Sequence, residues 1–438
     1  MSDLVLIVDD EPGILTTLSG ILADEGYRTL ATRSGADALR LYAEARPDVV
    51  FLDVWLADRD GLETLKALRE SDPAAAVVMM SGHGTTATAV KAIKMGAFDY
   101  LEKPLSYRRA VDAVAGALAM KRSLGGEAAL PAPAGPSRAE ERQLEPPPPV
   151  PLLRTSDRPQ RTIRHSTVIY GLGLHSGGRT GMVIQPLPPD TGVHFVTLPA
   201  GAEIPAHVSA VADTDYATTL STDGESVRTV EHFLSALHAA GVGNLLVKVH
   251  GELPVLDGSA LEFCRVLDEV GVVDQDAPRQ EIVIDRRYEV AGAGGKSLAL
   301  EPYDGFAVSY ELRYPPPVGE QRYDFTLTDF ARYQEEIAPA RTFGFLKDLK
   351  MMNELGLGSG GRLDNFILVG EDEIVNTELR FPDEFARHKI LDILGDFFLL
   401  GYPIRGKVTA KLTGHRDNIA MLKTILAAPP VDASRTLT

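Results

Sequence analysis

Two histidines and an aspartate in the second half of the chain have the residue types of a catalytic metal site. His388 and Asp392 are four residues apart, so on a helix they project from one face and can bind the same metal ion. With His232 they provide two imidazoles and one carboxylate, the ligand count of a zinc site that keeps one position open. Glu231 and His415 would then form the acid–base pair of a hydrolytic site.

These residues fall in segments whose apolar patterns predict helices. One helix is predicted to have Thr229 as its N-cap and to end at Gly241, and it carries the first acid and imidazole of the set. A second helix, over residues 384–400, places Asp396 one turn beyond the aspartate ligand, where it could orient an imidazolium. His238 lies off the metal-facing side of the first helix and is predicted to be an ordinary helix residue. Each helix taken alone also allows a structural explanation of its polar residues. In the first helix they could form a partly exposed first turn, and in the second they could form a salt-bridged surface face.

The composition restricts the class of protein. At 438 residues the chain is long enough for two or three domains, and a net charge of −17 with a pI near 5.1 argues against general nucleic-acid binding. The single cysteine, Cys264, lies in an apolar stretch, so we expect a buried thiol, no internal disulfide and a cytoplasmic protein. No apolar run approaches the ~20 residues of a membrane span, and no basic region precedes the first apolar run as in a signal peptide.

A change of composition marks the main domain boundary. Residues 125–159 are rich in alanine, proline and glutamate, which is typical of an extended linker rather than a packed core. We therefore predict a first domain over residues 1–122, a linker over residues 123–157 and a larger region from residue 158.

The first domain alternates apolar runs with amphipathic helical patterns, which predicts a parallel sheet covered on both faces. Polar residues stand where the strands end: Asp9 and Asp10 after the first, Asp53 at the third, Ser81 after the fourth and Lys103 after the fifth. Ligands of such sheets bind beyond the carboxyl ends of the strands. The three acids suit Mg²⁺, and the lysine and hydroxyl could hold the oxygens of a phosphoryl group carried by Asp53.

With its SGHGT and GAFDYLEKP segments, the first domain resembles response-regulator receiver domains. The resemblance implies a flavodoxin-like fold with five parallel strands and phosphorylation by a sensor histidine kinase. It also implies that Asp53 is the phosphoacceptor, that the acids after the first strand complete the magnesium site, and that Lys103 contacts the phosphoryl group. Ser81 and Tyr100 match the positions whose side chains rearrange on phosphorylation.

The rest of the chain, from about residue 161 to residue 428, resembles the UDP-3-O-acyl-N-acetylglucosamine deacetylase family, the zinc hydrolases of lipid A biosynthesis. The resemblance rests on six segments in the order of the family: GLGLHSG, TVEHFLSAL, PVLDGSA, ARTFGF, LRFPDEFARHKILDILGD and TGH-x-x-N. It implies that Zn²⁺ is bound by His232, His388 and Asp392.

The same resemblance assigns roles to the remaining site residues. Glu231 matches the general base and His415 the general acid, with Asp396 beside it. Thr342 matches the residue that helps to hold the developing oxyanion. Three further positions match substrate contacts, one polar and two beside the hexosamine and the acyl passage: Lys389, Phe343 and Phe345.

The family fold consists of two α/β sandwich sub-domains with the active site between them. The resemblance therefore implies sub-domains over residues 158–284 and 285–432. An insert over residues 345–369 corresponds to the segment that forms a hydrophobic acyl tunnel.

Two functions of different classes follow from the sequence. The leading hypothesis is a deacetylase that acts on UDP-3-O-acyl-N-acetylglucosamine and is regulated by phosphorylation of the receiver, through contact or receiver-mediated homodimerisation. The alternative is a signalling adaptor whose deacetylase-like region binds a nucleotide sugar or a partner without turnover. Transcriptional control is disfavoured because the sequence has no Walker motif, no convincing helix-turn-helix and no basic patch.

Overall fold

A computed structural model of the protein describes residues 3–82, 91–103, 107–124, 152–198, 200–354, 357–362 and 365–428. Contacts between Cα atoms divide the chain into two compact units. The first unit comprises residues 1–144 together with two short segments, 166–170 and 179–183, and the second comprises the remaining residues.

The first unit is built around one parallel sheet with the strand order β2-β1-β3-β4-β5. Its strands are β1 (Leu4–Val8), β2 (Arg28–Thr32), β3 (Val49–Asp53), β4 (Val77–Ser81) and β5 (Asp99–Glu102). Its helices are α1 (Pro12–Asp24), α2 (Gly35–Ala45), α3 (Gly61–Ser71) and α4 (Tyr107–Leu124), and residues 91–94 are also helical.

Successive side chains of the central strands enter two separate apolar clusters. Val5 and Ile7 pack in one cluster, whereas Leu6 and Val8 pack in the other. Side chains alternate between the faces of a strand, so both faces of the sheet are covered, as the continuous apolar runs predict. This strand order is that of the flavodoxin-like fold, which confirms the predicted fold of the first domain.

Parts of the predicted organisation lie outside the described residues. These are residues 83–90, which include the end of the SGHGT segment, residues 104–106, and residues 125–151. The two ends of the predicted linker do have regular structure, because α4 continues to Leu124 and a strand begins at Leu153. The domain boundaries, including the division near residue 285, stay predictions.

The second unit combines many strands with six helices among its described residues. The strands that follow α4 in the chain are β6 (Leu153–Ile163), β7 (Thr167–Leu172), β8 (Arg179–Pro186), β9 (Val193–Thr197), β10 (Glu203–Pro205), β11 (Val211–Asp213), β12 (Thr219–Thr222), β13 (Glu225–Arg228), β14 (Leu245–Val249), β15 (Val272–Val283), β16 (Tyr288–Ala291), β17 (Ser297–Glu301), β18 (Phe306–Arg313), β19 (Glu320–Leu327), β20 (Phe343–Phe345), β21 (Ile367–Val369) and β22 (Ile404–Lys411). The first parts of β7 and β8 are the two short segments that group with the first unit. The helices of the second unit are α5 (Glu231–Ala240), α6 (Leu261–Val270), α7 (Phe330–Glu336), α8 (Leu349–Glu354), α9 (Glu384–Phe398) and α10 (His415–Leu426).

The sheets of this unit are mixed, which confirms an α/β class. The long strands β6 and β15 are antiparallel, and β22 runs parallel to both β15 and β18 but antiparallel to β17. Strand β9 has antiparallel β10 on one side and parallel β14 on the other. Helix α9 packs against α5, α10 and β18, so it is central to the unit.

Helix α5 does not begin as the sequence pattern predicts. Thr229 was expected as the N-cap, but its φ of 59° is left-handed and the helix begins at Glu231. The Thr229 hydroxyl instead donates a hydrogen bond of 3.1 Å to Oε1 of buried Glu252. Because the hydroxyl is committed to this carboxylate, it does not cap the helix. The predicted end is confirmed, since Gly241 adopts a left-handed φ of 71°.

Helix α9 ends at Phe398, two residues earlier than predicted. The N–H of Leu399 bonds to the carbonyl of Asp396, and the N–H of Gly401 bonds to that of Phe398. These short-range bonds tighten the last turn, and Gly401 then leaves the helix with a φ of 78°. Among the helices of the described residues, none combines the length and apolarity that a membrane crossing requires.

Close contact between α5 and α9 depends on a glycine. A Cβ atom added at Gly395 would lie 2.0 Å from the backbone carbonyl oxygen of Glu231, and a helix backbone cannot move aside easily. We therefore expect Gly395→Ala to lower the free energy of unfolding by at least about 1–3 kcal/mol, as overpacking does. Calorimetric unfolding of the full chain measures this change.

Gly20 in α1 provides the matched control, because an added Cβ there meets nothing within 4 Å. Gly20→Ala should leave stability unchanged or raise it by about 0.5–1 kcal/mol. Equal stability of the Gly395→Ala variant and the wild type would show that this contact does not limit helix packing.

Candidate active site

One face of α9 carries three polar residues that are buried in the second unit. His388, Asp392 and Asp396 follow one another at intervals of four residues, as the predicted helix requires. Apolar neighbours such as Phe385 and Leu394 anchor the rest of the helix in the core. Because buried polar groups are costly without partners, the surroundings of these three side chains determine what they can do.

The structure brings His232 from α5 to the first two of these residues. His232, His388 and Asp392 each offer one ligand atom, and these atoms lie within 4.8 Å of one another. Asp392 Oδ1 is 3.5 Å from Nε2 of His388 and 4.0 Å from Nε2 of His232. This Oδ1 atom is buried and has no hydrogen-bond partner among the residues that the structure describes. An oxygen that faces two imidazole nitrogens in this way fits a bound Zn²⁺ ion.

The protonation states also suit a metal ion. Burial, reinforced by His388, lowers the pKa of His232 to about 3, and burial lowers the pKa of His388 as well. Burial opposes the charge of Asp392, but Lys389 and the nearby imidazoles outweigh it and lower the pKa of that carboxyl. Two neutral imidazoles and a carboxylate are the forms that bind a metal. His388 Nδ1, 3.1 Å from the carbonyl of Ala340, donates to it, which leaves Nε2 free as a ligand.

Glu231 and His415 lie next to this ligand set. His415 Nε2 is 3.8 Å from Glu231 Oε1 and 4.0 Å from Asp392 Oδ2. Burial raises the pKa of Glu231 to about 7. Burial opposes the charge of His415, but Asp396 and Asp392 outweigh it and raise its pKa to about 10. At neutral pH Glu231 can therefore accept a proton, because its pKa lies near the pH, and cationic His415 beside it can donate one.

Asp396 is the centre of a hydrogen-bond network that includes a residue missed by the sequence reasoning. Its Oδ2 lies 2.8 Å from His415 Nδ1 and accepts a bond of 2.8 Å from Asn418. Its Oδ1 accepts a bond of 2.6 Å from the hydroxyl of Thr218, whose backbone N–H donates to Oε2 of Glu231 at 3.1 Å. Thr218 thus bonds both to Glu231, the predicted general base, and to Asp396, the carboxylate partner of His415. No motif marks Thr218 in the sequence, whereas Asn418 belongs to the TGH-x-x-N segment.

Lys389 approaches the ligand set from the opposite side of Asp392. Its Nζ donates a hydrogen bond of 2.9 Å to Asp392 Oδ2 and lies 5.4 Å from the ring centre of Phe343. Burial opposes the charge of Lys389, but Asp392, Tyr310 and Tyr314 outweigh it and raise the pKa of the amine. Lys389 therefore stays cationic and neutralises one oxygen of Asp392 while the other faces the imidazoles.

The predicted substrate residues meet at the short strand β20. Phe343 stacks edge-on against Phe385 at 4.8 Å and lies 6.1 Å from the ring of His388. Tyr314, which the sequence reasoning did not single out, contacts Phe345 with ring centres 5.1 Å apart. This aromatic cluster continues from the metal-ligand side toward the predicted acyl insert. Within that insert, residues 355–356 and 363–364 lie outside the described residues.

A buried ion pair fixes the segment that contains Thr342. Arg341 Nε donates a bond of 2.9 Å to Oε1 of Glu384, the first residue of α9, and the backbone N–H of Arg341 donates to the same oxygen. The N–H of Thr342 donates a bond of 2.7 Å to the carbonyl of Gly258. These contacts hold the predicted oxyanion residue and the residue before it.

The first unit contains a separate cluster of acids at the carboxyl ends of its strands. Ligand atoms of Asp9, Asp10, Glu11 and Asp53 lie within 4.8 Å of one another, so Glu11 joins the three predicted acids. Lys103 Nζ lies 2.6 Å from Asp53 Oδ2 and 2.7 Å from Asp9 Oδ2. Burial raises the pKa of Asp9 to about 6 and also raises that of Asp53. A divalent cation would relieve this concentration of buried carboxylates.

The two remaining receiver residues lie on adjacent strands. Ser81 is buried at the end of β4, and its carbonyl accepts a bond of 2.7 Å from the N–H of Lys103. Tyr100 on β5 packs against the apolar cluster that covers one face of the sheet. Five of the six predicted receiver residues thus lie at or just after the carboxyl ends of their strands, and Tyr100 lies within the edge strand β5.

The geometry of the second unit is that of a metal-dependent hydrolase, with two imidazoles, a carboxylate and an acid–base pair around one point. The family model for UDP-3-O-acyl N-acetylglycosamine deacetylase matches residues 160–427, and the chain belongs to this family. The family model for the response regulator receiver domain matches residues 5–115, so the chain also carries a receiver domain.

Individual relatives agree with the deacetylase assignment, and a solved receiver structure is similar in sequence to the first unit. A protein of Anaeromyxobacter dehalogenans named UDP-3-O-acyl-N-acetylglucosamine deacetylase is 42% identical over 273 residues, which cover 62% of this chain and 88% of that protein. A protein of the same name from Helicobacter pylori is 39% identical over 61% of this chain and 91% of its own length. The crystal structure of the receiver domain of NtrX from Brucella abortus is 42% identical, covering 26% of this chain and 98% of that chain, with a TM-score of 0.26.

Metal analysis provides the test of the ligand set. We expect the wild-type protein to retain one Zn²⁺ per chain after dialysis, and His388→Ala or Asp392→Asn to weaken binding by more than about 100-fold, since even outer partners of such ligands contribute 10–100-fold. Elemental analysis and competition with a chromogenic chelator measure the change. His165→Ala, which alters an exposed histidine outside the cluster, should retain the metal. Full zinc binding by Asp392→Asn would contradict the ligand assignment.

Proposed function

We propose that the second unit hydrolyses the N-acetyl group of UDP-3-O-acyl-N-acetylglucosamine, a step of lipid A biosynthesis, with Zn²⁺ held by His232, His388 and Asp392. The observation that carries the proposal is the unpartnered Asp392 Oδ1, which faces two imidazole nitrogens beside an acid–base pair. The names of the relatives support the choice of substrate. When bound, Zn²⁺ supplies Lewis-acid chemistry that polarises a carbonyl oxygen and makes water more acidic.

The side chains around this site divide the proton transfers between them. Glu231 accepts a proton from the attacking water, because its raised pKa makes it a base near neutral pH. His415 enters the reaction as an imidazolium, stabilised by Asp396, and donates its Nε2 proton to the departing amine. This donation is needed because an unprotonated amine is a poor leaving group. Thr342 contributes to holding the oxyanion that develops on the substrate carbonyl.

The remaining residues position the substrate. Lys389 is a partly buried cation at the edge of the site and provides a polar contact for the hexosamine or its anionic substituents. Phe343 and Phe345 form an aromatic wall beside the sugar and the start of the acyl chain. The charge of Lys389 and the apolar surface of the phenylalanines together suit a substrate with an anionic nucleotide part and an acyl part.

For the first unit we propose phosphorylation of Asp53 by a sensor histidine kinase, with Mg²⁺ held by Asp9, Asp10 and Asp53. The support is the carboxylate cluster with Lys103 in direct contact with the phosphoacceptor. A phosphoryl group on Asp53 would give Lys103 new acceptor oxygens in place of the carboxylate. We further propose that this change alters the activity of the second unit, because one chain carries both chemical sites.

Glu231→Gln tests the proton acceptor. The substitution keeps the size of the side chain but removes the basic oxygen, so the turnover number should fall by about 10²–10⁴-fold. Zinc content should stay at the wild-type level, because Glu231 is not a ligand. Glu262→Gln, which removes the charge of a carboxylate paired with Arg265 on α6, should leave turnover unchanged. Wild-type turnover by Glu231→Gln would overturn its role, and a zinc-loaded wild type without any turnover would favour the adaptor function.

Asp53→Asn tests regulation by the receiver. Incubation with acetyl phosphate should phosphorylate the wild type but not this variant, and only the wild type should then change its rate of deacetylation. Phosphate-affinity gel electrophoresis measures the modification, and release of acetate measures the rate. Asp37→Asn, an exposed change on α2, should respond like the wild type. An unchanged rate in fully phosphorylated protein would show that the two activities are not coupled.

A further inference from the structure

The second unit contains a cavity of about 340 Å³ that includes none of the proposed catalytic or metal-binding residues. It lies at the C-terminal end of α5, between the loop that follows this helix and the segment after α9. Its walls are mainly apolar and include Leu237, Val242 and Phe398. The volume falls within the range of ~300–1,000 Å³ that is typical of small-molecule sites.

A buried histidine lines this cavity. His238 is only 8% exposed, and its Nδ1 lies 2.8 Å from the carbonyl oxygen of Leu394. A carbonyl can only accept, so Nδ1 carries the proton and Nε2 is an acceptor in the neutral ring. Burial lowers the pKa of His238 to about 4, which keeps the ring neutral. The bond to Leu394 engages Nδ1, so Nε2 is the ring nitrogen that can accept a hydrogen bond from a ligand.

Two guanidinium groups stand beside the same end of α5. A Cβ atom placed on Gly241 would lie 3.5 Å from Nη1 of Arg279 and 3.7 Å from Cδ of Arg161, and both arginines line the cavity. Arg279 pairs with Glu281, yet its Nε is buried without a hydrogen-bond partner among the residues described. Arg161 pairs with Asp274 at 2.8 Å in a partly exposed ion pair. The lining thus has an unpartnered N–H donor, which favours a ligand with an acceptor oxygen.

Acidic groups balance the charges of the two arginines. Asp190 lines the cavity and accepts a bond of 2.6 Å from the side chain of Gln160, while Arg161 and Arg279 are paired with Asp274 and Glu281. The buried Nε–H of Arg279 is the donor that still needs an acceptor oxygen. A ligand that suits the cavity therefore needs an apolar chain, a head group with acceptor oxygens for the arginine N–H groups, and a hydrogen-bond donor for His238.

We propose that this cavity is a binding site for a single-chain acyl carboxylate that carries a hydroxyl group near its head. The chain packs on the apolar walls, the carboxylate meets Arg161 and Arg279, and the hydroxyl donates to Nε2 of His238. The site is separate from the proposed deacetylase centre and does not depend on its activity. A sequence pattern could not reveal it, because the lining residues come from distant parts of the chain.

Gly243 allows the cavity to be blocked with little disturbance. It lines the cavity, its φ is not left-handed, and an added Cβ meets no atom within 4 Å. Its N–H bonds to the carbonyl of Arg161, and this bond survives a side-chain change. Gly243→Leu should therefore occupy the cavity, whereas Gly20→Leu, at an equally open glycine in α1, is the matched control.

The experiment is calorimetric titration of the full-length protein with 3-hydroxydodecanoate below its micellar concentration. The wild type and Gly20→Leu should bind one more molecule per chain than Gly243→Leu. Any molecule that Gly243→Leu still binds is assigned to the proposed acyl passage of the deacetylase site. Binding in the cavity and binding in the deacetylase site are therefore measured separately. Equal stoichiometry in wild type and Gly243→Leu would overturn the cavity site.

Changes at His238 test the hydroxyl contact without filling the cavity. His238→Asn retains a polar atom near the Nδ1 position and loses the one at Nε2, whereas His238→Gln retains a polar atom near Nε2. The wild type should prefer 3-hydroxydodecanoate over dodecanoate by about fivefold, the effect of one net hydrogen bond. His238→Asn should lose this preference and His238→Gln should keep part of it.

The uncharged analogue 1,3-dodecanediol separates the contribution of the arginines. It should bind more weakly than 3-hydroxydodecanoate to the wild type, and this difference should shrink in Arg161→Gln. A wild type that does not distinguish the hydroxylated from the plain chain, or the carboxylate from the diol, would overturn the proposed ligand class. The His238 and Arg161 variants keep the test valid if Gly243→Leu does not fold.

Discussion

The close crossing of α5 and α9 is the constraint on which the second unit depends. Gly395 lets the carbonyl of Glu231 approach a position where any side chain would collide with it. A hydrogen bond between His238 and the carbonyl of Leu394 joins the same two helices nearer the end of α5. These two contacts fix both the separation and the register of the helices. As a result, His232 in the first turn of α5 meets His388 and Asp392 of α9 at distances that suit a shared metal ion, and Glu231 lies beside them.

Burial makes this meeting point electrostatically demanding. Three carboxylates, on Glu231, Asp392 and Asp396, share it with two cations, on Lys389 and His415. If Glu231 is ionised, three negative charges face two positive ones, which leaves one negative charge to be neutralised in a region of low dielectric. Burial already raises the pKa of Glu231 in response. A divalent cation at the ligand set would more than offset the remaining charge and leave one net positive charge, so electrostatics and ligand geometry favour the same occupant.

Most of this arrangement could be predicted from the sequence where it depends on local spacing. The interval of four residues placed His388 and Asp392 on one face of a helix, and the apolar runs of the first unit predicted its parallel sheet. Contacts between distant residues could not be predicted in the same way. Thr218 contacts Asp396 across 178 positions and carries no motif. Thr229 has the residue type of an N-cap, but its left-handed backbone and its bond to Glu252 follow from tertiary structure.

The two sites use their lysines differently, and this difference fits different tasks. In the second unit, Lys389 is bonded to one oxygen of Asp392 and leaves the other free for a metal, so its contact supports the site without occupying it. In the first unit, Lys103 contacts Asp53 and Asp9 directly. Phosphorylation of Asp53 would convert one of its oxygens into an acyl-phosphate bridge and move the negative charge outward, so Lys103 would have to change partners. A fixed lysine suits catalysis, whereas a lysine that must change partners suits a switch.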